Sequence, residues 1–152
     1  MILTLDYHSG HGHMIVDLEK FLPCSLARWR KLTAVMYLST PAPIGEVWKY
    51  LDDRASAEKQ MCEDYKNAIW AAERKLEGCR LNARNLRECR KQFKKSSEEY
   101  AQLTAEAKAV DEAGHEAVTQ RRFYQKKLKD AMKYLECYPE YMKILGRMPW
   151  KN

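Results

Sequence analysis

The sequence predicts a mainly α protein (α+β) in which an N-terminal β-hairpin and a short helix cap a long antiparallel two-helix coiled-coil hairpin. Three observations support this prediction: a period-two apolar pattern near the N-terminus, the lack of proline between Pro43 and Pro139, and two long runs of mostly apolar or small residues at alternating spacings of three and four. With 152 residues, the chain is expected to form one structural unit overall. Its predicted parts are a β-hairpin and helix base over 1–40, the helical hairpin over 44–137 with a turn near 94–97, and a C-terminal segment over 138–152 that packs on the base.

The N-terminal residues alternate as two paired strands do. Residues 2–7 place an apolar side chain at every second position, and residues 14–18 repeat the pattern. The segment between them contains two glycines, which favour a turn. The alternating members are Leu3, Leu5, Tyr7, Met14, Val16 and Leu18.

A helix is predicted over residues 23–38. Its first turn would tolerate Pro23, and apolar residues recur at spacings of three or four to form a stripe. Pro41 and Pro43 then predict an extended linker, because proline disfavours helical backbone in the residue before it. The stripe consists of Leu22, Leu26, Trp29, Leu32 and Met36.

The first long helix is predicted from residue 44 to about 95. Its apolar seam holds alternating steps of four and three residues for six heptads, whereas a helix in a globular core shows a looser period of 3.6. Glu58 and Arg90 are its only charged members. The seam consists of Leu51, Ala55, Glu58, Cys62, Tyr65, Ile69, Ala72, Leu76, Cys79, Ala83, Leu86, Arg90 and Phe93.

A second long helix, from about 97 to 137, carries its own seam, which is out of phase with the first. At the mismatch, residues 96–99 read Ser-Ser-Glu-Glu and fit the S-x-x-E capping box, which predicts the start of a new helix. The second seam consists of Tyr100, Leu103, Ala107, Val110, Gly114, Ala117, Arg121, Tyr124, Leu128, Ala131 and Leu135.

The charge distribution favours folding the two helices back on each other. Residues 74–95 balance to +7 and residues 98–116 to −5, while residues 46–64 balance to −3 and residues 121–133 to +5. A turn at 94–97 sets basic against acidic residues along a hairpin of up to about 75 Å, at 1.5 Å per residue. A parallel dimer would set like charges together. An antiparallel dimer of two long rods would also satisfy the charges.

The C-terminal segment is rich in aromatic and methionine residues, and Pro139 and Gly146 are expected to break the helix there. In one interpretation these side chains close a small core with Trp29, Trp48 and Tyr50. In the other they form an exposed surface for a partner, since aromatic residues often anchor interfaces. The residues are Tyr134, Tyr138, Tyr141, Met142, Ile144, Leu145, Met148 and Trp150.

No catalytic or cofactor motif occurs in the sequence, so we predict no enzyme activity, no cofactor and no metal. The five cysteines include no CxxC pair, and no secretory signal is visible, so free thiols in the cytoplasm are expected. No apolar run approaches the ~20 residues of a membrane span, so no membrane association is expected. His8, His11 and His13 have spacings that metal ligands adopt, and the alternative is a solvated polar turn.

The net charge of +6 and a periodic run of basic residues make an anionic partner possible. Such a row can follow a phosphate backbone, although the acidic start of the second helix is expected to neutralise much of it. Few aromatic residues lie nearby for base stacking, so contact with nucleic acid would be to the backbone and not sequence-specific. The candidate partner-binding residues are Arg80, Arg84, Arg87, Lys91, Lys94, Lys95, Arg121, Arg122 and Lys126.

The segment from Phe21 to Ser39 adds a more specific hypothesis. Its pattern Phe-Leu-Pro-x-Ser…Trp-x-Lys-Leu, with the charged helical repeat behind it, resembles the small accessory proteins of bacterial phages and conjugative elements. Some proteins of that kind are anti-CRISPR or other anti-defence inhibitors, which bind a defence nuclease or its nucleic-acid channel without catalysis. The resemblance implies a protein partner such as a CRISPR nuclease ribonucleoprotein, whose DNA binding or cleavage is blocked.

Two other hypotheses stay open. One is an electrostatic, sequence-nonspecific nucleic-acid-binding coiled-coil protein, and the other is a structural homo-oligomeric coiled coil. A monomer and a homodimer are both compatible with the sequence.

Overall fold

The computed structural model describes residues 1–6, 12–39 and 42–146. The predicted fold class is confirmed, because a strand pair and short helices accompany two long helices that pack as a hairpin. Two compact units are distinguished: a base unit, Met1–Cys62 with Lys129–Asn152, and a hairpin unit, Glu63–Leu128. Among the described helices, none combines the length and apolarity needed to cross a membrane. The elements are β1 (Ile2–Asp6), β2 (His13–Asp17), α1 (Leu18–Phe21), α2 (Leu26–Leu38), α3 (Ile44–Arg90) and α4 (Glu98–Gly146).

The predicted β-hairpin is present, with β1 and β2 antiparallel. Leu3 and Leu5 are buried while their neighbours in β1 are exposed, which is the expected alternation. The second strand ends before Leu18, which begins α1, because Asp17 caps this short helix with its side chain. Residues 7–11, which include most of the predicted turn, lie outside the described part of the chain.

The helix predicted from residue 23 begins later, at Leu26. The hydroxyl oxygen of Ser25 accepts a 3.3 Å hydrogen bond from the backbone N–H of Arg28, which is a typical N-cap. Pro23 therefore lies before the helix and not in its first turn. The predicted apolar stripe does face the core, and its buried members are Leu22, Trp29, Leu32 and Met36.

Helix α4 continues through Pro139 to Gly146, so the predicted break at Pro139 is wrong. A proline in a helix interior costs about 3 kcal/mol, whereas burying each large apolar side chain contributes about 1.5–3 kcal/mol. The turn after Pro139 gains several such contacts. Tyr141 lies 5.2 Å from Trp29 between ring centroids, and its carbonyl oxygen accepts a 3.0 Å hydrogen bond from the indole N–H.

The C-terminal part of α4 contributes to the core of the base unit. Trp48, which was also expected there, is 43% exposed. Met148 and Trp150 lie outside the described residues. The buried side chains from this part are Tyr134, Tyr141, Ile144 and Leu145.

The unit boundaries differ from the predicted parts. The ends of the helical hairpin predicted over 44–137, up to Cys62 and from Lys129, group with the base unit. The physical reason is that Leu51 and Tyr134 are fully buried in the same core as the N-terminal residues. The hydroxyl of Tyr134 also donates a 3.1 Å hydrogen bond to the carbonyl oxygen of Leu51.

In the hairpin unit, α3 and α4 pack antiparallel along the two predicted seams. Tyr65 and Tyr124 meet there, with their ring centroids 6.1 Å apart. The charged seam residue Arg90 is accommodated because its guanidinium lies over the ring of Tyr100 and donates a 3.2 Å hydrogen bond to the hydroxyl of Thr104. The buried seam residues in this unit are Ala72, Leu76, Ala83, Ala107, Gly114 and Ala117.

Helix α3 ends at Arg90, earlier than the predicted end near residue 95. The next three backbone N–H groups each bond to the carbonyl three residues back, which tightens the chain into a turn. Phe93, the last predicted seam residue, is consequently 40% exposed.

Helix α4 begins with a simple cap. The hydroxyl oxygen of Ser97 accepts a 3.2 Å hydrogen bond from the backbone N–H of Tyr100, and the carbonyl of Ser97 accepts from Ala101. Because the third helical residue is Tyr100 and not a glutamate, the predicted capping box does not form.

Candidate binding surface on the helical hairpin

A row of basic side chains lies along α3 in the hairpin unit. Arg80, Arg84 and Arg87 are exposed, and each directly follows a seam residue. Successive residues lie about 100° apart around a helix, so these three side chains share one side of the packed pair. We call Arg80, Arg84 and Arg87 the basic row.

The α4 residues that directly follow a seam residue lie on the same side of the helix pair as the basic row. Lys108, Asp111 and His115 each follow a seam residue of α4. An ion pair between the Arg87 guanidinium and the Asp111 carboxylate joins the two helices across this side. Lys108 adds a further positive charge to it.

The basic row is mostly unneutralised, contrary to the sequence expectation. Within residues 74–116, all of which are described, the pair from Arg87 is the one ion pair that joins α3 to α4. Arg80 and Arg84 have no carboxylate within 4.0 Å among the described residues.

Three of the glutamates in the early part of α4 lie on the opposite side. Glu99, Glu106 and Glu116 each directly precede a seam residue, which turns them away from the basic row. The α3 positions that precede its seam residues there are uncharged, so this side is acidic. Those α3 residues are Gly78, Asn82, Asn85, Cys89 and Gln92.

The three candidate lysines of the turn are exposed but differ in their partners. Lys91, the first residue after α3, pairs with Glu88 at 2.9 Å. Lys94 and Lys95 form no ion pair with a described residue. Lys94 and Lys95 therefore carry unpaired positive charges in the turn that follows the basic row in the sequence.

The remaining candidates form a separate group on α4. Arg121 occupies a seam position, and its Nε is buried without a hydrogen-bond partner. Arg122 is exposed on the side of the basic row, whereas Lys126 lies farther around the helix. Since Tyr65 lies opposite Tyr124, Arg122 is about 13 residues, or about 20 Å, from Arg80 along the helix axis. The nine candidates therefore do not form one patch.

The sequence interpretation missed one exposed aromatic residue on the basic side. Trp70 is 59% exposed, and the guanidinium of Arg74 lies 4.7 Å from its ring centroid. Like the members of the basic row, Trp70 directly follows a seam residue. The heptad position was therefore the signal that could have located it.

Among the described residues, no group of three His, Cys, Asp or Glu side chains is placed to hold a metal ion. His13 is an exposed residue of β2. His8 and His11 lie outside the described residues.

Comparison with known proteins adds no assignment. No protein-family model matches the chain, and no curated protein or solved structure is significantly similar to it.

Proposed function

We propose that this protein is a non-enzymatic, cytoplasmic inhibitor of phage or mobile-element origin, of the anti-CRISPR type. It binds a bacterial defence nuclease complex and blocks its DNA binding or cleavage. The observation that carries the proposal is that the basic row lies on one side of the hairpin unit and that two of its members, Arg80 and Arg84, have no ion-pair partner among the described residues. The resemblance of the segment from Phe21 to Ser39 supplies the class of partner.

The basic row suits a partner that presents phosphate groups, as a nuclease ribonucleoprotein does. Arginine binds phosphate through two parallel charge-assisted hydrogen bonds. Arg80 and Arg84 are available for such bonds because they have no carboxylate partner in the described part of the chain. The acidic opposite side would be repelled by the same phosphates, so the hairpin would bind with one side only.

A DNA-cleavage assay with purified CRISPR nuclease ribonucleoproteins tests this proposal. The wild-type protein is expected to stop cleavage, and the Arg80→Glu/Arg84→Glu variant to restore it. The matched control is Lys75→Glu/Lys127→Glu, which makes the same charge change at positions that precede seam residues. Undiminished cleavage at saturating wild-type protein, across nucleases of several classes, would reject the proposal.

A second candidate is an electrostatic, sequence-nonspecific nucleic-acid-binding protein. It is favoured by the same two free arginines together with the exposed ring of Trp70 on their side. The logarithm of the binding constant for a mixed-sequence DNA duplex should then fall linearly with the logarithm of the salt concentration. A variant that loses two phosphate contacts should show a slope smaller in magnitude by about 1.8. Inhibition of the nuclease without measurable binding to free duplex would separate the first candidate from this one.

A further inference from the structure

The outer edge of β2 presents unpaired backbone groups. The backbone N–H of Leu18 bonds to the carbonyl oxygen of Met1 at 2.9 Å. Because backbone groups of an antiparallel pair alternate in direction, Val16 and Met14 also face β1. The N–H and C=O groups of His13 and Ile15 therefore point away from β1, and no described residue is bonded to them.

The other edge of the sheet is occupied. By the same alternation, Asp6 points its backbone away from β2, and its N–H donates a 3.2 Å hydrogen bond to the hydroxyl of Ser39. This contact agrees with the alternation deduced from Leu18. In the described part of the chain, β2 thus has the open edge.

A groove of about 190 Å³ lies beside this open edge, between β2 and the helices. Its lining is apolar except for Arg28 and Lys31. The guanidinium of Arg28 lies 4.8 Å from the ring centroid of Phe21, which holds the charge at the groove. Neither cation forms an ion pair with a described residue. The apolar lining residues are Met14, Val16, Phe21, Leu32 and Val35.

We propose that this groove binds an extended acidic peptide of a protein partner, which adds to β2 as a third strand. The backbone of the peptide would pair with His13 and Ile15. Side chains at every second position of the peptide would face the groove. Apolar ones among them would fill it, and carboxylates two positions away, on the same face, would bind Arg28 and Lys31. This surface belongs to the base unit and is independent of the basic row, so it goes beyond the proposed function.

Charge selects an acidic peptide over a second copy of this chain. Pairing of β2 with β2 of another copy would bring the cationic side chains of both grooves together, which is unfavourable. An acidic strand meets the opposite charge instead. The exposed side chain of Ile15, at 64%, lies on the other face of the sheet and stays outside the groove.

The test uses the full chain and a library of heptapeptides whose odd positions, which share one face of a strand, mix Asp or Glu with Val, Ile, Leu or Phe, and whose even positions are Ser or Thr. A second library carries Lys or Arg in place of the acids. The acidic library should be enriched, and Arg28→Glu/Lys31→Glu should weaken binding of an enriched peptide by at least about tenfold, or about 1.4 kcal/mol. Arg30→Glu is the control, because Arg30 is exposed on α2 but does not line the groove.

The strand-addition mode has its own variant. Ile15→Pro removes an N–H from the open edge without removing a bond to β1, and it should abolish binding that Ile15→Val preserves. Thermal melts verify that both variants fold. Equal retention of both libraries, or peptide binding unchanged by the charge reversal, would overturn the proposal. A dimer that Ile15→Pro dissociates would identify a second copy as the occupant and overturn it as well.

Discussion

The hydroxyl of Tyr141 donates a 2.6 Å hydrogen bond to the carbonyl oxygen of Cys24 and accepts one of 2.9 Å from its backbone N–H. Both residues are buried. One side chain of α4 thereby satisfies both backbone groups of a residue 117 positions earlier. These groups lie in the irregular segment between α1 and α2, where neither helix supplies them with partners.

Replacing Tyr141 by phenylalanine is expected to destabilise the protein by about 1–3 kcal/mol, because two buried backbone groups lose their partner. Urea denaturation followed by circular dichroism measures the change. Tyr138→Phe is the control: its hydroxyl bonds to Asp52 at the surface, at 2.7 Å, and its loss should cost under about 1 kcal/mol. Equal costs for the two variants would contradict the role given to Tyr141.

Stability should fall at alkaline pH. Burial raises the pKa of the hydroxyls of Tyr134 and Tyr141 well above the ordinary value of 10.0, and burial also raises the pKa of the Cys24 thiol. Above about pH 10 the unfolded chain releases these protons while the folded chain keeps them, so the free energy of unfolding decreases as pH rises. The Cys24 thiol begins to contribute at a lower pH than the tyrosines, because an unfolded thiol already ionises at about pH 8.5, and below about pH 7.5 none of these groups contributes pH dependence.

Thermal melts between pH 7 and 11 test this expectation. The melting temperature should be level near neutral pH and drop above about pH 9–10. Tyr134→Phe should make the alkaline drop shallower, even though the variant starts from a lower stability. A drop of unchanged steepness would show that other groups cause it.

Substitutions at two helical glycines, Gly78 and Gly114, test how closely α3 and α4 pack. A Cβ atom at Gly78 would meet nothing within 4 Å, and one at Gly114 would lie 3.6 Å from the Cβ of Cys79, an ordinary contact. Alanine at either position should therefore stabilise the protein by up to about 1 kcal/mol. Gly114→Leu should instead destabilise it by about 1–3 kcal/mol, since it overpacks the seam. Urea midpoints separate these outcomes, and a tolerated leucine at 114 would contradict the close packing of the helices there.

The cap at Ser97 gives a local prediction. Ser97→Ala should cost about 1 kcal/mol, because the N–H of Tyr100 loses its acceptor at the start of α4. Ser96→Ala is the matched control, since the neighbouring hydroxyl has no such bond among the described contacts. Hydrogen exchange at the first turn of α4 should accelerate in the first variant only.

The hairpin was predictable because its seam is a local, repeated signal. Residues such as Ala72, Ala83 and Ala107 carry little information singly, but their spacing over many heptads indicates two packed helices. The end of α3 and the passage of α4 through Pro139 were not predictable in the same way. They depend on tertiary contacts, such as that of Tyr141 with Trp29, which outweigh local preference.

The sequence predicted the net charge of each helical segment in the candidate site, but not the side of the helix pair on which each charged side chain lies. Summing charges over residues 98–116 suggested that they would neutralise the arginines, but a sum ignores the side of the helix on which each charge lies. Asp111 follows a seam residue and reaches Arg87, whereas Glu106 precedes one and points elsewhere. The groove beside β2 was not predictable, because it needs a strand and helices from separate segments to meet.

In the part of the hairpin unit near the turn, residues 78–116, the opposite charges on the two sides give an electric dipole directed across the helix pair. In the field of a polyanion, such a dipole experiences a torque before any atoms touch. The molecule would therefore be rotated into a productive pose during approach, which shortens the orientational search that normally slows association. Added salt screens this long-range field, so it would lower the association rate constant more than it shortens the lifetime of the complex.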